Sequence, residues 1–145
     1  MRRGLFVGTA MLLASISAAI GHDVPQSQVP SVIINSFQKA FPDATDVEWE
    51  TKGSDYKVEF EGSGSKYDQS ALYNKDGVMI RHKEDVASNS LPTKVMETIK
   101  KHYPKYIVDE AEKITEGSKT SFKIELKSGK EELKVTIDND GNVVR

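Results

Sequence analysis

Few side chains of this sequence are suited to catalysis. Its three histidines, His22, His82 and His102, are far apart, and there is no cysteine. A catalytic triad or a metal site needs such side chains to converge, and no HExxH or GxSxG motif is present. The lack of cysteine also excludes disulfides, thiol nucleophiles and Cys-ligated zinc. We therefore predict no catalytic residues, no metal ligands and no cofactor.

Two polar segments resemble ligand loops but fit turns better. Residues 138–142 read Asp-Asn-Asp-Gly-Asn, which invites a calcium interpretation. An EF-hand loop needs glycine at its sixth position and glutamate at its twelfth, and this segment does not supply them. The Gly-Ser run at residues 62–65 lies between two predicted strands, whereas a phosphate-binding loop leads into a helix. We predict hairpin turns at both places.

Composition limits the class of protein. The chain has 145 residues, with 20 Lys and Arg against 22 Asp and Glu, and a formal net charge of -2. That length fits one domain. Because nucleic-acid binders usually carry a basic excess, we expect no nucleic-acid partner.

The N-terminus has the pattern of a secretory signal. Arg2 and Arg3 precede an apolar stretch that ends in small residues. We predict a signal peptide over residues 1–21 with cleavage before His22; cleavage after Ala19 is the second choice. A lipoprotein would need a cysteine there, so the mature chain is expected to be periplasmic or secreted, without stable membrane insertion.

The remainder contains an internal repeat. Val29-Pro30 and Phe41-Pro42 recur as Leu91-Pro92 and Tyr103-Pro104, 62 residues later, and residues 56–60 recur at 122–126. The turn at residues 74–77 recurs at 138–141. We predict one domain over residues 22–145, made of two repeats at about 24–86 and 87–145.

Each repeat is predicted to be one helix followed by about four strands. Apolar residues recur every three or four positions from Val29 to Phe41 and from Leu91 to Tyr103, with Ser27 or Ser90 as candidate caps and a proline in the first turn. Downstream the period becomes two, and short Gly-containing turns separate the segments. The predicted fold class is α+β: two tandem repeats form one antiparallel sheet with both helices on one face. The facing of residues 67–73 stays open, because they alternate poorly.

These motifs resemble a known family. The features are Val29-Pro30, Phe41-Pro42, the acidic-aromatic strand Val47-Glu48-Trp49-Glu50, Tyr56-x-Val58-x-Phe60 and the Asp76-Gly77 turn, and they span residues 24–145. The chain resembles the PepSY-like family of periplasmic proteins, whose fold is similar to that of the β-lactamase inhibitor protein. The resemblance implies that fold and an exported location, but no established activity, and the namesake's inhibition does not extend to the whole group. The second repeat has Ala111 in place of Trp49.

The remaining candidate site is the polar face of the sheet. The alternation predicts a set of cross-strand charges on it: Glu48, Glu50, Lys57, Glu59, Arg81, Lys123, Glu125 and Lys134. Weak surface ion pairs are the ordinary role of such residues. The functional hypothesis is a docking face for another exported protein or a peptide. The protein would then be a non-enzymatic binding or regulatory module, a class to which inhibitors also belong. The alternative hypothesis is a carrier of a small apolar ligand held between helices and sheet.

Overall fold

The structure, a computed structural model, describes residues 21–62 and 67–145. The predicted signal peptide lies outside the described residues except for Gly21, as do residues 63–66, which include all of the predicted Gly-Ser hairpin tip except Gly62. The cleavage site and the conformation of that tip therefore stay predictions.

The described residues form two helices and one nine-stranded antiparallel sheet whose strand order follows the chain. The helices are α1 (Ser31–Ala40) and α2 (Thr93–His102). The strands are β1 (His22–Val24), β2 (Thr45–Lys52), β3 (Asp55–Glu61), β4 (Asp68–Tyr73), β5 (Met79–Val86), β6 (Ile107–Glu116), β7 (Lys119–Ser128), β8 (Glu131–Asp138) and β9 (Val143–Val144). The predicted helix plus four strands, twice, is confirmed. The additional strand β1 was not predicted, because three residues are too few to show alternation.

Both helices begin later than their predicted caps. Ser27 and Ser90 lie in short 3-10 turns, and the residues that directly precede α1 and α2 are Pro30 and Pro92, in extended conformation and with no side-chain cap. The prediction of serine caps is wrong. Proline accounts for the difference, because its fixed φ suits the residue at the entry of a helix and its missing N–H needs no partner there.

Each helix packs on its own half of the sheet to form a separate apolar core. The first core is Val29, Ile33, Phe37, Trp49, Val58, Phe60, Ala71 and Tyr73, and the second is Leu91, Val95, Ile99, Ala111, Phe122, Ile124, Leu126, Val135 and Ile137. Ala71 of the first core lies opposite His82 on β5. Val86 lies on the same face of β5 and opposite Ala111 of the second core, which in turn lies opposite Ile124. Directly opposite residues share a face, so both helices lie on the same side. Within the predicted apolar pattern from Val29 to Phe41, Ala40 is exposed because it is in the last turn of the helix.

The structure resolves the facing of β4. Ala71 and Tyr73 lie in the first core, and Leu72 pairs with Lys57 and Arg81 on the opposite face. The poor alternation arises because Ala71 and Leu72 are both apolar, although only Ala71 faces α1.

Two glycines bring a hairpin against each helix. Gly77 and Gly141 have φ of +80° and +88°, and an added Cβ would lie 2.9 Å from the carbonyl oxygen of Val32 and 2.8 Å from that of Lys94. Asp138 completes the second turn, because its Oδ1 accepts hydrogen bonds from the N–H groups of Asp140 and Asn142. Asn74 does the same in the first turn. The predicted hairpin at residues 138–142 is confirmed.

Candidate docking face

The eight predicted charged residues share the face of the sheet that carries no helix. We call this surface the docking face. Glu48 lies opposite Glu59, Glu50 opposite Lys57, and Glu125 opposite Lys134. Register extends the same face through Leu72 to Arg81 and through Glu112 to Lys123. The strands β2, β3, β5, β7 and β8 thus place all eight side chains on one surface.

Lys57 organises the end of this face nearest β1. Its Nζ lies 2.6 Å from Oε1 of Glu59 and 3.0 Å from Oε1 of Glu50. Partial burial lowers the pKa of Lys57, but the hydrogen bonds that Lys57 donates to Glu59 and Glu50 outweigh it and raise the pKa above its ordinary value. This cation stays charged throughout the physiological range and holds two carboxylates that would otherwise repel each other.

The middle of the docking face is acidic, and sequence analysis missed it. Asp85 on β5 lies directly opposite Glu112 on β6. Desolvation raises the pKa of Asp85, and repulsion by Glu112, Asp68 and Glu110 raises it further. Lys83 Nζ lies 3.7 Å from Oε1 of Glu112 and partly compensates that carboxylate, so Asp85 is the carboxylate that an added cation would relieve. The alternation along β5 places Asp85 on the same face as Arg81, but only the pairing of β5 with β6 brings Glu112 beside it.

On either side of this acidic centre, the acidic side chains have basic partners. Arg81 Nε donates to Oε1 of Glu116 over 2.8 Å. In the second repeat, Lys127 Nζ lies 2.6 Å from Oδ2 of Asp109. Lys134 Nζ lies 3.8 Å from Oε2 of Glu125, and its side chain is 67% exposed, so this pair is loose.

Two open grooves meet at the acidic centre. One, of about 630 Å³, runs between β5 and β8 and is bordered by Tyr67, Glu110 and Lys123. The other, of about 350 Å³, lies on the first repeat and is bordered by Glu48 and Asp68. Both grooves include Asp85 and Glu112. A partner that follows the two grooves would therefore contact both repeats.

The three histidines occupy separate elements. His22 is on β1 and His102 is the last residue of α2, and both are exposed. His82 is on β5, on the helix-bearing side between the two cores, with Nε2 2.9 Å from Oε1 of Gln69 and its ring beside Phe41. Desolvation lowers the pKa of His82, and the effects of Glu84, which raises it, and Lys113, which lowers it, are smaller.

Within residues 21–62 and 67–145, no group of three or more histidine or acidic side chains is arranged to hold a metal ion. In the same part of the chain, no helix is long and apolar enough to cross a membrane.

Solved structures of similar fold come from Bacteroides species. A BLIP-like protein from Bacteroides fragilis has a TM-score of 0.67 and 19% identity, covering 80% of this chain and 83% of that chain. A protein from Bacteroides eggerthii described as "putative periplasmic" has a TM-score of 0.70 and 15% identity, covering 81% and 86%. A DUF2874 family protein from Bacteroides uniformis has a TM-score of 0.69 and 16% identity, covering 80% and 86%. At these identities the likeness shows the fold.

Comparison of sequences agrees with the repeat. No curated protein matches the chain. A single family model, described as "Putative beta-lactamase-inhibitor-like, PepSY-like", matches twice, at residues 18–81 and 68–145. Its description names an inhibitor-like class and no catalytic activity. The chain therefore belongs to the PepSY-like, beta-lactamase-inhibitor-like family.

Proposed function

We propose that this protein is an exported, non-enzymatic binding module that holds another exported protein or a peptide on its docking face, in the periplasm or outside the cell. One observation carries the proposal: the charged side chains of both repeats converge on a single helix-free face, where two grooves meet. A sheet face without helix cover can accept a partner without any rearrangement of the core.

The charge of the face specifies the kind of partner. At its centre, desolvation raises the pKa of Asp85, and repulsion by Glu112, Asp68 and Glu110 raises it further. A partner that presents lysine or arginine side chains would neutralise these carboxylates and gain from electrostatic steering. We therefore expect a segment with a basic centre to bind across both grooves.

Tyr67 supplies an aromatic contact at the edge of the larger groove. Its side chain is 37% exposed, whereas Trp49 and Tyr73 are buried in the first core. Because tyrosine is enriched at energetically important interface positions, we expect Tyr67 to contact the partner.

The alternative, a carrier of a small apolar ligand between helices and sheet, has less support. The side chains of the first core are in direct ring contact, with centroids of Phe37 and Phe60 5.1 Å apart and those of Phe37 and Trp49 5.3 Å apart. In the second core, Val95, Ile124, Leu126 and Ile137 have no exposed surface. The helix–sheet layers are filled by their own side chains.

The test is recovery of partners from a periplasmic extract by the tagged mature chain, followed by native mass spectrometry. We expect a protein or peptide that is released by salt and lost when Asp85 and Glu112 are both changed to lysine. The matched control is Glu97→Lys, a charge reversal at an exposed residue of α2. Recovery that is unchanged by the double reversal would refute the docking face, and a bound small molecule in place of a protein would favour the carrier.

A further inference from the structure

One end of the second repeat carries four exposed lysines. Lys100 and Lys101 lie in the last turn of α2, Lys105 in the connection to β6, and Lys130 at the tip of the β7–β8 hairpin. In the part of the chain that the structure describes, none of the four forms an ion pair. Ile107, the first residue of β6, is 70% exposed. We call the surface formed by these lysines and Ile107 the basic end.

Contacts between the intervening residues hold these elements at the same end of the sheet. The hydroxyl group of Tyr106 donates to Oε2 of Glu131 over 2.9 Å, which joins the α2–β6 connection to the β7–β8 hairpin. The rings of Tyr103 and Tyr106 meet edge-on, with centroids 6.4 Å apart. Ile107 lies opposite Lys127, close to the end of β7. The last turn of α2, the start of β6 and the hairpin tip therefore form one surface.

The carboxylates at this end of the repeat already have partners. Lys127 Nζ lies 2.6 Å from Oδ2 of Asp109 and 3.5 Å from Oε1 of Glu132. Glu131 accepts the hydrogen bond from the tyrosine hydroxyl group. Glu97 is the only acidic residue of α2, which carries three lysines. The whole chain has a formal net charge of -2, so the positive excess of the basic end is local.

The first repeat shows that the fold does not require these lysines. The residues at the corresponding end of that repeat, 62 positions earlier, carry no net charge: Gln38, Lys39, Asp43 and Thr45. α1 has one lysine in its last turn, and one cation is enough for the favourable interaction with the C-terminal end of a helix. The basic end is therefore a feature of the second repeat alone.

Exposed lysines beside an exposed apolar side chain fit the surface of an anionic membrane. Lysines near such a surface are attracted to its phosphate groups, and their flexible stems let the ammonium groups reach them. An apolar side chain such as Ile107 gains by leaving water for the boundary between headgroups and acyl chains. None of the four lysines borders the two grooves of the docking face, so this surface is separate from the docking face.

We propose that the basic end binds the surface of an anionic phospholipid bilayer, with its four lysines against the phosphate groups and Ile107 at the interface. The contact is peripheral and reversible, and it inserts no helix. It does not depend on the docking face, so either proposal can fail without the other.

The experiment is co-sedimentation of the mature chain with vesicles of two compositions: equal parts phosphatidylglycerol and phosphatidylcholine, or phosphatidylcholine alone. We expect binding to the anionic vesicles only, and weaker binding when salt is added. The double variant Lys100→Gln with Lys101→Gln should weaken binding about 25-fold, because each lysine near an anionic surface contributes about fivefold.

The matched control is the double variant Lys39→Gln with Lys75→Gln, which removes the same charge from exposed residues of the first repeat. It should leave binding to the anionic vesicles unchanged, because charges far from the contact are screened. A loss as large as that of the Lys100 and Lys101 variant would overturn the proposal, since binding would then depend on net charge and not on the basic end.

Ile107→Trp tests whether the apolar side chain enters the interface. Trp49, the single tryptophan of the chain, is buried in the first core, so its emission should stay constant. The emission of the introduced indole should shift to shorter wavelength with the anionic vesicles and stay unchanged with the neutral ones. An unshifted emission, no binding to the anionic vesicles, or equal binding to both kinds of vesicle would each overturn the proposal.

Discussion

The two repeats build the same layers with different kinds of side chain. In the first repeat, Phe37, Trp49 and Phe60 form a cluster of edge-on rings between α1 and the sheet. Their counterparts in the second repeat are Ile99, Ala111 and Leu126. The aromatic and aliphatic cores share helix length, strand order and turn positions, so the architecture depends on where apolar residues lie more than on which ones they are.

The difference in side-chain volume is compensated along a row of directly opposite residues on neighbouring strands. In the first repeat, Trp49, Val58 and Ala71 lie side by side, and in the second repeat the corresponding row is Ala111, Ile124 and Val135. The position of Trp49, the largest residue of the first row, is held in the second row by Ala111, the smallest. The residues at the other two positions are larger in the second repeat than in the first. Close packing thus accepts two distributions of volume for one backbone.

The aromatic core also carries a polar cost that the aliphatic core avoids. The Trp49 Nε1 and Tyr73 hydroxyl groups are buried without a hydrogen-bond partner among the described residues. The residues at the corresponding positions are Ala111 and Ile137, which have no side-chain polar atom. The first core therefore combines larger contact surfaces with two unsatisfied groups.

The largest test of this comparison removes the aromatic anchor. Trp49→Ala is expected to lower the free energy of unfolding by about 3–5 kcal/mol, because it leaves a cavity among Phe37, Val58 and Tyr73. Urea denaturation measures the change. The control Ile137→Val in the second core should cost about 0.5–1.5 kcal/mol. Equal losses for the two variants would contradict the central role of Trp49.

The next test concerns a feature that the repeats share. Gly77→Ala and Gly141→Ala should each destabilise by about 2 kcal/mol or more, since the new Cβ meets a helix carbonyl and the backbone keeps a positive φ. Gly117→Ala is the control, with φ of +58° and open space around it, and should cost about 1 kcal/mol. Thermal unfolding ranks the three variants by their loss of stability. If Gly117→Ala is as destabilised as the other two, contact with the helix carbonyl is not the cause of their loss.

A smaller change is expected when the unsatisfied hydroxyl group is removed. Tyr73→Phe should leave stability unchanged or raise it by up to about 1 kcal/mol, because the core loses a buried group that has no partner. Burial raises the pKa of Tyr73 to about 12 from an ordinary value of 10.0. Because the folded state favours the neutral hydroxyl group, the wild-type chain keeps its full stability below pH 10 and loses part of it as pH rises through about 12. The midpoint pH of alkaline unfolding should therefore be higher for Tyr73→Phe than for the wild type. Destabilisation by Tyr73→Phe would show that the hydroxyl group is satisfied after all.

The smallest effect lies between the two cores. The pKa of His82 is lowered in the folded protein, chiefly by desolvation, with Glu84 and Lys113 nearby. Because the unfolded chain binds this proton more readily, stability is retained above the ordinary pKa of 6.5 and falls as pH drops below it. His82→Gln should flatten this part of the pH profile, measured by urea midpoints between pH 7 and pH 5. An unchanged slope would exclude His82 as its source.

Much of the fold could be predicted because its signals are local. The repeat, the change of period from helix to strand, and the Gly-containing turns are all properties of short segments. The start of each helix was less accessible, since Ser27 and Ser90 have the chemistry of caps but Pro30 and Pro92 decide where the helix begins. β1 escaped prediction because it exists only by pairing with β2.

The candidate site divides in the same way. The alternation along β2, β3, β5, β7 and β8 was enough to predict the eight charged residues of the docking face. The acidic centre was missed because it depends on β5 of one repeat meeting β6 of the other, which no local pattern reports.

Local patterns in the sequence are enough to predict the repeat, the class of fold, and which side chains point away from the helices, since hydrophobic period acts within a few residues. Folding establishes which strands become neighbours across the two repeats. That pairing places Asp85 beside Glu112. Electrostatic repulsion acts between residues that folding brings together, so it follows from the arrangement of the strands.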